Sequence, residues 1–540
     1  MSSRKVQELP SKKVRDITRV TVFNPSKGLN SLGSPTLIDN KEFADLENIE
    51  FDEGGVARKR MGYEAFGADL TAARGLGVLN TESLTQICTI DGTDFNYTTD
   101  GSSWSDDTSI SFTADKVVDF TQARDTLFIW NGTEGGAQWD GSTLSRPGTM
   151  PKAKFSIFYQ SYHIAGGVAG QPSRVYISVL SDASDFTNAS TTLNNSTEVP
   201  GATVFSGTGA NFIDISPNDG QGITGYAIFQ EALIIFKDQS IYQLTFDDNG
   251  DPIVTPITRA TGCISYRSVV AVENDVYFLS REGVRVLGNE PNYFSSIRTS
   301  VISKPIEDIT DTINAQYYEY ANAVYFNEQY MLAIPTTTSD ISQCIVYHRE
   351  FRAWSKWTNV DAESFLRYVD SNNEEKLIFL DDGGVETFTF TPGTYSDDGT
   401  AINASLTSKT FTLDAPDITK YFVDLGLIFR SVKGLVDIEV FKDGNVSIGS
   451  GETTIGSLGN DGMGIKMLGE SPLGEGNSES VTESATTDAP YRVIVNTNST
   501  SLKFTISNNR TSENFVLLGY ILGFYPYGHY YFDSSKKIYL

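Results

Sequence analysis

His163, His348 and His529 are the only imidazoles in 540 residues, and none shares a short spacing with Cys, Asp or Glu that would build a zinc site. The three cysteines, Cys88, Cys263 and Cys344, are far apart and odd in number, so they imply neither a disulfide framework nor a Cys-x-x-Cys site. The nucleophile elbow of hydrolases and the lysine loop that cradles phosphates are also missing. Any chemistry would therefore fall to carboxylates. Four acid pairs offer them: Asp106–Asp107, Asp247–Asp248, Asp381–Asp382 and Asp397–Asp398. Two such groups at the right separation would serve a glycosidase, one protonating the leaving group and the other attacking or activating water. Each pair falls where a hairpin turn is predicted, however, and Asp is favoured there because its side chain bonds the local backbone. Asp247, Asn249 and Asp251 begin like a calcium loop, but Pro252 stands where the sharp-turn glycine belongs. Phe351, Trp354 and Trp357 would stack a sugar or a base, yet their alternating spacing reads as strand core. No catalytic, cofactor-binding or metal-binding residue is assigned, and the expectation is a building block rather than an enzyme.

The elements that carry these residues are short strands. Tyr and Phe together number 58 against six Met, and 47 Gly punctuate the chain. Aromatic and β-branched runs broken by Gly, Asn and Asp favour strands and tight turns. Between residues 68 and 395 an apolar run, a turn and a second run recur: Asp125–Trp130 with Ala137–Trp139, Ala232–Phe236 with Ser240–Phe246, Asn274–Leu279 with Val284–Leu287, and Lys376–Leu380 with Gly384–Phe390. The first run is mostly continuous and the second alternates, as for a strand buried on both faces beside one half exposed. Units about 45–55 residues apart fit blades around an axis, with a string of β-sandwiches as the rival. Thr99–Trp104 is similar to the structural Asp-box hairpin of sialidase-type propellers, but one residue short. Two short helices are expected, Lys41–Leu46 capped by Asn40 and another capped by Ser303 with Pro305 early.

Near residue 396 the character changes to alternating strands such as Ser408–Leu413 and Val436–Phe441, followed by a Gly/Ser/Glu-rich stretch. The expected class is all-β: a β-propeller over 36–395, then a β-sandwich over 396–530 with a long loop at 449–488, and an aromatic-basic tail at 531–540. Residues 1–35 are expected as an N-terminal arm. The formal net charge of −27 argues against general binding to nucleic-acid phosphates. The arm is the exception, carrying Arg4, Lys5, Lys12, Lys13, Arg15 and Arg19 against Glu8 and Asp16. It reads either as a solvated end or as a segment that docks on an acidic partner. No signal-peptide core and no run of about 18 apolar residues is present, so secretion by the general route and membrane insertion are not expected.

Three passages carry a family resemblance. They are Leu46–Gly62, with its Asn48, Asp52, Gly54, Arg58, Arg60, Gly62 order; Gly262–Ser265 through Val276–Ser280 to Gly283–Arg285; and Tyr330–Pro335 with Val346–Trp354. Together they resemble the tail nozzle proteins of short-tailed bacteriophages, also called tail tubular protein B or packaged-DNA stabilisation proteins. The resemblance implies a structural subunit of the virion that assembles as a homo-oligomer, commonly a hexamer, below the portal and its adaptor. It implies contact with tail fibres or a tail needle, and a channel that retains the packaged double-stranded DNA and passes it at ejection. Strong acidity would then keep DNA from sticking to that channel. A propeller also needs its ring closed, and the segment near 50–66 is placed to pair with strands near 376–390. The long loop at 449–488 and the Asn/Ser/Thr-rich stretch at 182–212 read as channel gates, neighbour contacts or plain surface loops. The alternative, from a different class, is a carbohydrate-binding, receptor-recognising propeller of the adhesin type, and a third is a cytoplasmic scaffold propeller.

Overall fold

A computed structural model describes residues 17–52, 54–99, 101–187, 195–196, 210–246, 252–289, 297–336, 341–370, 372–454, 465–467 and 491–526. Consecutive strands pair antiparallel across tight turns and collect into seven blades. Blade 1 holds Ala73–Asn80, Thr85–Asp91, Asp94–Thr98 and Ser105–Asp107, and blade 2 holds Asp119–Ala123, Thr126–Trp130, Ala137–Trp139 and Leu144–Ser145. Blade 3 is built on Phe155–Tyr159, Tyr162–Gly166, Arg174–Ile177 and Asn211–Asp214, and blade 4 on Ile223–Phe229, Ala232–Lys237, Ile241–Phe246 and Pro252–Thr258. Blade 5 comprises Val270–Val272, Asp275–Ser280, Gly283–Asn289 and Ile297–Val301. Blade 6 comprises Asn322–Phe326, Gln329–Pro335, Ile341–His348 and Ala353–Trp357. Blade 7 takes Ala362–Val369, Glu375–Asp381 and Thr387–Phe390 from late in the chain and its outer strand, Tyr63–Ala65, from early in it.

The first strand of each blade touches the first strand of the next, and that of blade 7 touches that of blade 1, so the ring is closed. Closure uses the pairing expected from the sequence, with Phe390 opposite Tyr63 and Phe388 opposite Ala65. Because a blade is covered on both faces by its neighbours, its second strand is buried throughout, as in Ala232–Lys237. The chain is thus a seven-bladed β-propeller with a β-sandwich attached.

The sandwich draws on both ends of the chain. One sheet pairs Thr18–Phe23, Ile49–Phe51 and Ala57–Lys59 with Lys420–Lys433, Ile465–Met467, Tyr491–Ser499 and Asn514–Tyr525. The other pairs Gly28–Leu29 and Glu42–Glu47 with Ala404–Ser408, Leu435–Lys442, Val446–Thr454 and Leu502–Asn508, and continues into blade 6 through Glu47 beside Lys356. Residues 18–59, expected partly as an arm and partly as propeller, therefore belong to the sandwich. The expected helix at Lys41–Leu46 is the strand Glu42–Glu47 instead. A bulge between Phe43 and Asp45 sends Phe43 and Leu46 to the same buried face, so an i, i+3 apolar spacing arises on a strand. The second helix is present as a 3₁₀ turn, Lys304–Ile306, running into Glu307–Thr310, but the Ser303 hydroxyl accepts from the Val284 amide rather than capping it. The tail at 531–540 lies outside the described residues, as does most of the loop at 449–488.

Apolar side chains pack between adjacent blades in separate clusters, for example Leu79, Phe95, Leu127 and Trp139 between blades 1 and 2. The space between blades 5 and 6 differs. Tyr277, Leu279, Tyr330 and Trp354 there form one continuous core with Leu46, Phe422, Phe504 and Leu522 of the sandwich.

Candidate functional site

The ring and the sandwich meet at a buried polar hub. Arg60 is fully buried, and all five of its N–H donors are used. Nε donates to Asn48 Oδ1 at 2.9 Å, Nη1 to Met61 O at 3.0 Å and Asp397 Oδ1 at 2.8 Å, and Nη2 to Thr358 O at 2.9 Å and Asp397 Oδ2 at 2.6 Å. Asn48 is itself left-handed (φ 53°), and its amide donates to Thr358 Oγ1 and Asn403 O. Lys59 next to it is buried too, donating to Asn508 Oδ1 and Arg510 O, and burial brings its ammonium down to about 8. Gly62 follows because a Cβ there would stand 2.0 Å from the Ser396 carbonyl oxygen. The first passage that carries the family resemblance is thus the hub that ties strand closure to the sandwich. The other passages are equally structural. A Cβ on Gly262 would stand 1.9 Å from Lys237 O, and buried Tyr330 donates its hydroxyl to Ser268 O at 2.9 Å.

The groups with chemical potential are mostly consumed by folding. His163 sits in blade 3 between Ser156 Oγ and Ala183 O, both at 2.8 Å, and burial brings it down to about 4. His348 contacts Ser355 Oγ at 3.2 Å and is pushed down to about 3 by burial. Both are neutral rings in core positions, and His529 lies outside the described residues. Cys88, Cys263 and Cys344 are buried free thiols, each pushed up by burial. Asp381 accepts from the amides of Gly383, Val385 and Glu386, the turn role expected of it. Asp107 accepts from the Ser109 amide. Asp397 departs from the turn reading, since it is the buried partner of Arg60. Asp247, Asp248, Asn249 and Asp251 lie outside the described residues. Trp354 and Trp357 are core, their indole N–H groups donating to Ile302 O and Ile49 O. Among the described residues no group of three His, Cys, Asp or Glu is placed to hold a metal ion.

The short turn Tyr266–Ser268, which leads into blade 5, makes contacts with blades that are not its neighbours. Tyr266 stacks on Phe155 of blade 3, ring centres 4.8 Å apart. Arg267 reaches Glu363 on blade 7 at 3.4 Å, and Glu363 also accepts from the Gly75 amide of blade 1. Blades 5 and 7 are not neighbours, so these side chains link the entry of blade 5 directly to blades 7 and 1. Asp119 of blade 2 faces the same space. Crowding by protein atoms raises its carboxyl to about 7, although the Ser156 amide donates to it.

A concave feature lies between the rims of blades 6 and 7 and the sandwich, a cleft of about 810 Å³. Phe51, Tyr325 and Phe351 give it aromatic surface, and Asp52, Glu328, Glu350 and Glu375 bring carboxylates. Arg430 pairs with Asp52 at 2.7 Å and Arg367 with Glu375 at 3.2 Å. Behind Arg58 lies Glu50, whose carboxyl is raised by burial against the pull of Arg58. Arg58 Nε stands 2.7 Å from Glu50 Oε1 without a directed hydrogen bond. Composition alone could not point to this cleft, because its residues come from six separate stretches of sequence.

Of the residues expected in a docking arm, Arg19 is placed on the strand Thr18–Phe23 and forms an ion pair with Asp424 at 3.1 Å, a contact inside the sandwich. Arg4, Lys5, Lys12, Lys13 and Arg15 lie outside the described residues.

No family model and no curated protein matches the chain. Solved structures that it is similar to include YCF48 bound to D1 peptide, at 8% identity and a TM-score of 0.37, covering 64% of this chain and 98% of that one. BamB from Moraxella catarrhalis matches at 11% identity and a TM-score of 0.32, covering 58% and 96%. Streptogramin B lyase matches at 9% identity and a TM-score of 0.36, covering 61% and 97%. Likenesses this distant say nothing of activity or partners, and the propeller rests on the strand pairing described above.

Proposed function

We propose that the chain is a structural subunit of a short phage tail, of the nozzle type, which acts without catalysis. It would assemble as a ring below the portal and its adaptor and line the distal DNA channel of the virion. The observation that supports this reading is that Asn48, Arg60 and Gly62, in the motif that resembles nozzle proteins, form the buried hub fixing the propeller to the sandwich. DNA would pass between copies of the chain in the assembled ring. A net charge of −27 per copy suits such a conduit, because it does not hold phosphates.

The adhesin reading needs an aromatic platform for a sugar; of the cluster Phe351, Trp354 and Trp357 only Phe351, at the cleft and not in the expected core, keeps part of its ring surface, while Trp354 and Trp357 are spent in the core. Mass in solution over a range of concentrations, alone and with a portal–adaptor complex, tests the proposal. A closed ring, or capture onto the adaptor, supports it. A chain that stays monomeric, ignores the adaptor and is retained by a host polysaccharide would overturn it.

A further inference from the structure

The cleft between blades 6 and 7 and the sandwich holds buried polar atoms that the fold leaves without partners. Gln329 lines it, is 4% exposed, and has no donor for its Oε1. Glu50, behind Arg58, is 1% exposed, and its Oε2 has no aligned donor although Gln329 and Arg58 lie against its carboxylate. A buried acceptor without a donor is destabilising, so an added N–H at Gln329 Oε1 would be stabilising. Glu350 at the rim has no ion pair among the described residues. Of the carboxylates that line the cleft, Asp52 pairs with Arg430, Glu375 with Arg367 and Glu328 with Arg349, which leaves Glu350 for an incoming cation. Aromatic rings of Phe51, Tyr325 and Phe351 add apolar surface suited to the aliphatic stem of a long cationic side chain.

An orphan acceptor on Gln329, the unpaired Glu350 carboxylate and aromatic walls together fit a lysine or arginine presented on an extended segment. A candidate segment exists in the chain itself. Residues 1–16 carry Arg4, Lys5, Lys12, Lys13 and Arg15 against Glu8 and Asp16, whereas the whole chain is strongly acidic. Reach is sufficient. Thr18 pairs with Phe524 and Arg58 with Val516, so eight residues of one strand, roughly 26 Å, separate the start of the described chain from the cleft. Sixteen extended residues span up to about 53 Å.

We infer that the cleft is a docking site for this basic segment, Met1–Asp16, with a Lys or Arg side chain directed at Gln329 and Glu350. The inference stands apart from the nozzle proposal, since it concerns only the chain's own surface.

Zero-length carbodiimide crosslinking of the full-length protein tests it, with isopeptide links located by mass spectrometry. The expected result is links from Lys5, Lys12 or Lys13 to Glu328, Glu350 or Asp52, weakening as salt is raised. Mixed ¹⁴N and ¹⁵N copies assign each link to one chain or to two, and either arrangement upholds the site. A second measurement guards against unreactive geometry: a full-length chain with Arg4, Lys5, Lys12, Lys13 and Arg15 all changed to Gln. Its amides at Tyr325–Gln329 should exchange faster with deuterium than those of the unaltered chain. Links confined to other surfaces, together with unchanged exchange at the cleft, would overturn the inference and leave the orphan acceptors to water.

Discussion

Removing the carboxylate of Asp397 isolates the energetics of the hub. In Asp397→Ala the two Arg60 donors that held it, at 2.8 and 2.6 Å, lose their acceptors. The guanidinium stays fully buried with no counter-charge, and Lys59, also buried, lies close enough to repel it. Breaking one side of a buried ion pair costs about 3–5 kcal/mol. That loss falls on the closing strand, because Asp397 pairs with Tyr63 and Arg60 precedes it by three residues. The amides that report closure are Phe66 to Thr387 O, Thr391 to Gly62 O and Asp398 to Tyr63 O. Their hydrogen exchange, governed by local opening, should accelerate by about 10² to 10⁴. The Cys263 amide between blades 4 and 5, bonded to Lys237 O, should change little. Asp397→Asn keeps shape and one acceptor and should fall between. Unchanged exchange at Phe66, Thr391 and Asp398 in Asp397→Ala would refute the claim that the hub holds the ring shut.

Gly62→Ala places a methyl 2.0 Å from Ser396 O, and a shift of backbone against backbone should cost about 1–3 kcal/mol or more; an unchanged urea midpoint would count against the packing described. His163 has a folded pKa of about 4, below its ordinary 6.5, so the folded chain binds the proton less tightly than the unfolded one. The stability this provides is complete above pH 6.5 and is lost as pH falls toward about 4, roughly 3 kcal/mol in all. His163→Gln should flatten that slope in urea midpoints measured against pH. Asp119, with a folded pKa of about 7 against 3.8, has the opposite sign: it favours the folded state as pH drops below 7, and Asp119→Asn should steepen the acid loss. Trp357→Ala removes a fully buried indole and should cost about 3–5 kcal/mol; a soluble, equally stable variant would reopen a surface role for it.

The propeller was legible because each blade repeats a local signal. An apolar strand buried on both faces, a Gly or Asn turn and an alternating strand can be seen within twenty residues, as in Ala232–Phe246. Closure was legible for a topological reason, since a ring must borrow a strand from its other end. The early part of the sandwich was not. Thr18–Phe23 and Glu42–Glu47 find their partners some 360 to 500 residues away, at Gly519–Phe524 and Ser405–Ser408. No local pattern records such a pairing, and the bulge at Ala44 gave the second strand a helical spacing. The role of Asp397 was hidden in the same way: beside Asp398 and Gly399 it reads as a turn residue, and only the fold brings Arg60 to it.

The shared core sets the terms on which any mechanism can act. A hinge between two domains needs an interface that can part without exposing a core. Here Tyr277, Tyr330 and Trp354 of the propeller pack in one cluster with Leu46 and Phe504 of the sandwich, and a strand pairing runs directly from one into the other. Parting them would expose those rings and break the hub at Arg60 together, at a cost comparable with unfolding. The two parts therefore move as one body. If the chain holds DNA back and later releases it, the change has to come from rotation of whole copies against each other, or from segments at their rims. That directs mutational work to the outer strands and the cleft, and away from the hub, whose variants would report loss of fold before they reported loss of function.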